Sequence, residues 1–361
     1  MTGLKKLELV QIGMGNVGRA VAQIVLEERK NWRDLHGVDI EYKAVADTSG
    51  ALVGEDLLSR AVRLKERGGK LSELGAEPVE AVLESDPAPG RLRVVVDLAV
   101  HGGTYALDML GVRNGAYLVL SNKGPLSGTM AEYRELVGTL RERLWHEATV
   151  GAGMPVISTL DMLQESGDEI LEIQASPSGT LGYIMGEVEK GHAFSDAVKK
   201  AVELHYAEPD PRDDLSGLDV ARKAIILARK MGREIEPQEI PYESLVPEGL
   251  EDVSLGEFME RLPEADRDFR KRLLAVRDGR MLRYLAKIPR EGAVEVGLVE
   301  AEATSAFGPI DGPENVFDFR TRRYSDVTLT VSGPGAGPER TASGVVFDLL
   351  DIAHKSPRPG G

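Results

Sequence analysis

Residues 7–30 read LELVQIGMGNVGRAVAQIVLEERK. A short apolar run, 7–12, stops at a glycine. Glycines then fall at Gly13, Gly15 and Gly18, in the pattern G-x-G-x-x-G. Past them, Val17, Val21, Ile24 and Val25 recur at helical spacing. The order is strand, glycine turn, helix. In that order a pyrophosphate can rest on the free N–H groups of the helix start, here those around Asn16 and Val17. Gly13 makes the turn, Gly15 lets the backbone come close to phosphates, and Gly18 lets helix and strand pack tightly. A tight strand-to-helix turn with no ligand is the other reading.

The alternation continues beyond the turn. Strands are expected at 40–46, 93–100 and 116–120, and helices at 54–67, 104–114 and 129–140. These strands are nearly all apolar, which suits a parallel sheet covered on both faces. The pattern predicts an α/β, Rossmann-type dinucleotide-binding domain over residues 1–150. After 151 it changes. Helices are expected at 155–164, 181–190, 195–205 and 218–231, with a charged helical stretch at 250–274. Strands are expected at 169–175, 283–288, 293–303 and 326–331. This is an α+β substrate and dimerisation domain over 151–325. Residues 326–361, with a helix at 341–352, are expected to pack back on the first domain. The tail after His354, KSPRPGG, reads as frayed.

The totals exclude several kinds of chemistry. The chain has 361 residues and no cysteine. Disulfides, thiolate metal sites and cysteine nucleophiles are absent, and with them aldehyde oxidation through a thiohemiacetal. The six histidines are scattered without metal-ligand spacing, which argues against a catalytic zinc. The formal net charge of −15 repels phosphate backbones and argues against a nucleic-acid partner. No apolar run approaches the roughly 20 residues of a membrane helix. The expectation is a cytoplasmic enzyme.

Asp47 ends the expected second strand, where an acid can accept hydrogen bonds from ribose hydroxyls and repel a 2′-phosphate. That favours NAD over NADP. The loop NWRDLHG, 31–37, makes its distance from the glycines unusually long. The other reading is an aspartate that starts the turn Thr48-Ser49-Gly50. Lys123 follows a strand, at the carboxyl end where such sheets bind ligands; it also fits a surface lysine in a loop. Asp219 and Lys223 stand four apart on one helix face. They fit an ordinary ion pair, or a site on a helix whose other face is apolar.

Five runs occur in order: Ser121-Asn122-Lys123-Gly124-Pro125-Leu126; Glu147 to Pro155; Ser178-Gly179-Thr180; Glu208-x-Asp210-Pro211-x-x-Asp214-Leu215-x-Gly217-x-Asp219-x-x-x-Lys223; and Gly333-Pro334-Gly335-Ala336-Gly337 before Thr341-Ala342. From Gly13 to Ala342 the chain resembles the homoserine dehydrogenases. The stretch 243–285, with SLVPE, is closest to the short fungal-type members, which lack a C-terminal regulatory domain.

The resemblance implies hydride transfer between NAD or NADP and aspartate 4-semialdehyde or homoserine. Lys223 would be the acid and base at the substrate oxygen, a role that burial suits by lowering a lysine pKa. Glu208, Asp214 and Asp219 would bind substrate, and Lys123 would hold the substrate or polarise its carbonyl. Gly335 would line the nicotinamide side. Glu147, Val150, Ala152 and Met154 would hold a monovalent cation such as sodium, mainly through carbonyl oxygens. The family is generally dimeric through the sheet of its second domain. The chain departs from the family at two cofactor positions, Ala99 where a threonine is common and His205 where a glycine is common. Another small oxo or hydroxy amino acid as substrate, and a non-catalytic cofactor sensor, are the rival readings.

Overall fold

The computed structural model describes residues 4–54, 56–100, 103–140 and 142–356. Residues 357–361, most of the tail expected to fray, lie outside the described residues. The chain divides into two compact units, Met1–Gly153 with Ala336–Gly361, and Met154–Gly335.

In the first unit, β1 (Lys5–Ile12), β2 (Val38–Asp47), β3 (Gly50–Val53), β4 (Leu92–Asp97), β5 (Tyr117–Leu120) and β6 (Leu144–Trp145) form one sheet in the order β3-β2-β1-β4-β5-β6. Strands β2, β1, β4, β5 and β6 run parallel. Only β3 is reversed, pairing with β2 as a hairpin edge. This is the doubly wound arrangement, whose ligand crevice lies at the carboxyl ends of the strands around β1 and β4.

Alternate residues of the central strands face opposite layers. Leu7, Leu9, Val94 and Val96 share a core with Val21 and Val25 of the helix Asn16–Asn31. Val345, Leu349 and Ile352 of the last helix, Pro338–Lys355, join the same core. Val95 turns the other way, against the helix Tyr105–Arg113 at Gly111. On the same face as Val95, the buried Arg93 pairs its guanidinium with the buried Glu8. The inserted loop 31–37 continues the first helix as a wider π turn, Trp32–His36, which buries Trp32 before Gly37 reverses the chain.

In the second unit, β7 (Ile170–Ser176), β8 (Arg280–Pro289), β9 (Glu295–Glu302), β10 (Glu314–Thr321) and β11 (Leu329–Pro334) form an antiparallel sheet in the order β11-β10-β7-β8-β9. The helices Gly179–Glu189 and Leu218–Lys230 pack on it. Strand β10 was not anticipated from sequence. The expected strand at 326–331 is β11 at 329–334. It pairs with β10 in this sheet, so the chain's return to the first unit begins at Ala336. The helix that follows also starts earlier and ends later than the expected 341–352.

Candidate functional site

The glycine turn is built by exclusion. Gly13 has φ +104°, and a Cβ there would lie 2.8 Å from the carbonyl of Leu98, just past β4. A Cβ on Gly18 would lie 2.1 Å from the Gly13 carbonyl oxygen. At Gly15, the helix N-cap, nothing stands within 4 Å of such an atom. Among the described residues no side chain caps the helix, and no acid lies in its first turn to compete with an anion at the N–H groups around Asn16 and Val17.

Beneath the turn lies a residue that sequence reading overlooked. Gln11 is fully buried. Its amide nitrogen donates to the carbonyl oxygens of Gly13 and Gly18, each at 3.0 Å. Its amide oxygen accepts from the Tyr42 hydroxyl at 2.7 Å. Burial pushes the Tyr42 pKa up, so the hydroxyl stays a donor. The available signal was an uncharged polar residue inside an apolar strand, two positions before Gly13.

Asp47 does end β2, but its carboxylate is already engaged. Ser49 donates from its backbone N at 2.8 Å and its hydroxyl at 2.5 Å to one oxygen. Lys65 at 2.8 Å and the Leu71 N–H at 3.2 Å reach the other. Burial would raise its pKa, but hydrogen bonds from Lys65, Ser49 and Leu71 outweigh that and hold it below the usual range. The turn-starting geometry is therefore present, with an ammonium group beside it.

Ala99 and Lys123 stand on the loops after β4 and β5. The Ala99 N–H donates to Asp97 at 2.9 Å. Asn122, preceding Lys123, is buried and bonds to the same carboxylate at 2.8 Å. Its side-chain oxygen takes the Gly124 N–H at 2.9 Å. Asn122 thus shapes the bend that places Lys123.

The run after β6 forms a buried turn. Glu147 and Val150 are 3% and 0% exposed, so a carboxylate and a backbone carbonyl sit away from bulk water. Gly151 and Ala152 both have positive φ, 84° and 56°, which swings successive carbonyls around the bend. Met154 opens the second unit. Among the described residues no group of three or more His, Cys, Asp or Glu could hold a metal, so a carboxylate-rich divalent site is not what this turn offers.

In the second unit two of the sequence runs, Ser178 to Thr180 and Glu208 to Lys223, converge. The helix Leu218–Lys230 starts at Gly217 with φ +75°, where a Cβ would meet the Tyr284 hydroxyl at 2.0 Å. One turn in, Lys223 lies 2.8 Å from Asp219 and donates to the Pro177 carbonyl at 2.6 Å. The Lys223 side chain is 10% exposed against 48% for Asp219, so this is not a pair held out in solvent. Pro177 precedes Ser178-Gly179-Thr180. Ser178 caps the helix Gly179–Glu189 by accepting from the Leu181 N–H. The Thr180 hydroxyl reaches the Tyr206 carbonyl at 2.5 Å and Asp214 at 2.9 Å. Asp214 also takes the Glu208 N–H at 2.8 Å. Burial raises the Asp214 pKa against those two hydrogen bonds, and the charges of Glu208 and Asp219 add to the rise. Acids and one buried lysine thus surround a small polar patch, a setting for an ammonium group and for proton transfer.

Gly335 follows β11, and a Cβ on it would collide with the buried amide of Asn315. His205 is exposed and has φ +57°. It closes the helix Phe194–Glu203 in the left-handed conformation that glycine takes most easily.

Comparison with known proteins agrees with this arrangement. The homoserine dehydrogenase family model matches residues 155–350. The homoserine dehydrogenase of Saccharomyces cerevisiae is 34% identical over 367 residues, covering 97% of this chain and 99% of the yeast protein. The chain belongs to the homoserine dehydrogenase family. It is also 37% identical over 359 residues to a chloroplastic bifunctional aspartokinase/homoserine dehydrogenase of Zea mays, covering 95% of this chain. The chain spans 38% of that maize protein's length. A hyperthermophilic archaeal homoserine dehydrogenase solved in complex with NADPH superposes with a TM-score of 0.75 at 26% identity, covering 98% of this chain and 99% of that one. The fold expected from sequence, a Rossmann-type domain with an α+β partner, is the fold of this family.

The left-handed His205 carries a cost that glycine avoids. His205→Gly is expected to raise unfolding stability by about 1 kcal/mol. Chemical denaturation of the two proteins side by side reads the difference.

Proposed function

We propose that this homoserine dehydrogenase family member reduces L-aspartate 4-semialdehyde to L-homoserine, reversibly, with Lys223 as the general acid and base. The observation that carries the reading is the buried Lys223, held by Asp219 and the Pro177 carbonyl at the centre of the converging runs. Lys223 gives its proton to the aldehyde oxygen as that oxygen gains charge, and takes it back in the oxidation direction. Glu208, Asp214 and Asp219 supply negative charge for the substrate ammonium group. Lys123 holds or polarises the carbonyl end. No covalent intermediate is required, which suits a chain without cysteine. A bound nicotinamide cofactor supplies the hydride.

Cofactor contacts fall to the glycine turn at Gly13, Gly15, Asn16, Val17 and Gly18 and to Ala99 and Lys123 in the first unit, and to His205 and Gly335 in the second. Asp47 read alone favours NAD. With both oxygens of that carboxylate engaged and Lys65 beside it, a 2′-phosphate meets less repulsion. The archaeal relative solved with NADPH supports the same direction. This chain therefore accepts NADP as well as NAD. The turn at Glu147, Val150, Ala152 and Met154 offers a buried carboxylate and backbone carbonyls, hard oxygens of the type a sodium ion takes. Its role is to stiffen the turn. Two copies pair through the antiparallel sheet of the second unit, whose outer face presents Gln174, Lys287, Asp318, Arg320 and Thr330. Light scattering at twice 39.1 kDa checks the dimer. Among the described residues no helix is long and apolar enough to cross a membrane.

Initial rates of NAD and NADP reduction with homoserine test the function. Turnover with homoserine above other hydroxy amino acids is expected. Another alcohol ranked far above homoserine would reassign the substrate, and no turnover in a folded, cofactor-binding protein would remove the activity. Lys223→Met should lower kcat by about 10³-fold while cofactor binding persists. Unchanged turnover in that variant would remove the acid-base assignment. Lys65→Ala should raise KM for NADP about tenfold and leave KM for NAD within a factor of about two.

A further inference from the structure

Asp108, on the helix Tyr105–Arg113, is fully buried. Neither of its carboxyl oxygens has a hydrogen-bond donor among the described residues. What it faces is another carboxyl, that of Asp97 at the end of β4, which is also fully buried. Two carboxylates in contact in a dry interior repel each other, and one proton between them converts the repulsion into a hydrogen bond.

The remaining contacts of Asp97 decide where the proton sits. All of them are donors: the Ala99 N–H at 2.9 Å on one oxygen, and the Thr104 hydroxyl at 2.7 Å and the Asn122 amide at 2.8 Å on the other. The backbone carbonyl of Asp97 takes the Ser121 N–H at 2.9 Å and the Asn122 N–H at 3.3 Å. Asp97 thus grips the loop after β4 and the loop after β5 as an acceptor, and Asp108 is the partner left to donate.

We propose that Asp108 carries one proton and donates it to Asp97, and that this pair is a positioning device for the two loops bearing Ala99 and Lys123. The proposal rests on the reading of those loops as cofactor and substrate contacts. Asp97 and Asp108 act through Ala99, Thr104 and Asn122.

The electrostatics agree with the geometry. Burial raises Asp108 well above the usual carboxylate range, and the charge and contact of Asp97 push it further. Burial raises Asp97 too, against its four side-chain and backbone partners. Charged groups on the surrounding elements are engaged elsewhere or point outward. Glu80 and Glu84 on the helix Val79–Glu84 are exposed. The Tyr105 hydroxyl donates to the Glu132 carbonyl and Glu135, and Arg113 pairs with Glu135. Arg93 on β4 pairs with Glu8 on β1. Lys123 stands on the loop that Asn122 anchors.

The sign follows from the raised pKa. Below about pH 4, the pKa of an aspartate in an unfolded chain, folded and unfolded states both hold the proton and the pair adds no pH dependence. As pH rises from there through the folded value, the unfolded chain ionises first and stability falls. Asp108→Asn supplies a permanent donor with nothing to lose. Its Tm minus that of the parent should therefore grow as pH is raised from 4, and level off once the folded pair ionises.

Fluorescence titration with NADPH gives the second readout. Asp108→Asn should bind within about twofold of the parent, because the amide restores the donor, while Asp108→Leu should bind about tenfold more weakly. A Tm difference that stays flat between pH 4 and 9 overturns the shared proton. NADPH binding by Asp108→Leu equal to the parent's overturns the positioning role. If Asp108→Leu does not fold, the pH series on Asp108→Asn decides alone. A parent protein that does not bind NADPH would instead sink the functional reading of the loops, while the Tm series still reports whether the proton is present.

Discussion

The first unit depends on a single close approach. The Gly13 carbonyl oxygen fills the place where a side chain at position 18 would begin. That lets the helix Asn16–Asn31 start directly after the end of β1, with no side-chain cap among the described residues. A carbonyl crowded in this way needs a donor. Gln11 supplies one to Gly13 and another to Gly18, and Tyr42 of the neighbouring strand holds Gln11 in turn. The turn is thus tied to the sheet beneath it and not only to its own glycines. The shape of the turn follows from a packing problem solved in the backbone.

The second unit solves a different problem, how to hold a buried lysine. A lone ammonium in that position would be costly, and the protein surrounds it with acceptors of two kinds. Asp219 comes from the same helix, one turn earlier, and the Pro177 carbonyl comes from the start of another helix. Asp214 ties the loop before the helix to Thr180 and Glu208. The pieces that sequence displays as separate runs are therefore one hydrogen-bonded arrangement.

Much of this was legible because its signals are local. The glycine spacing, the apolar strands and the four-residue offset between Asp219 and Lys223 can all be read within one turn or one strand. The units that stayed hidden depend on distance along the chain. Asp47 is engaged by Lys65 and Leu71, 18 and 24 residues away, so its carboxylate looked free when read alone. Asp97 and Asp108 each resemble an ordinary polar residue at the end of a strand or in a helix until the fold brings them face to face. Strand β10 was missed because its alternation, Phe317, Phe319 and Thr321, is blurred by the adjacent buried Val316 and Asn315. The strand makes sense only with β7 on one side and β11 on the other.

The last helix also sets an order of events during synthesis. Leu7, Leu9, Val21 and Val25 emerge from the ribosome early, yet their core is completed by Val345, Leu349 and Ile352. The whole second unit is translated between those two halves. The nascent chain must therefore carry an open apolar sheet face while the second unit is made, the kind of exposed surface that invites chaperone binding. The second unit, continuous in sequence, can fold first, and the nucleotide-binding unit closes only when the C-terminal helix arrives.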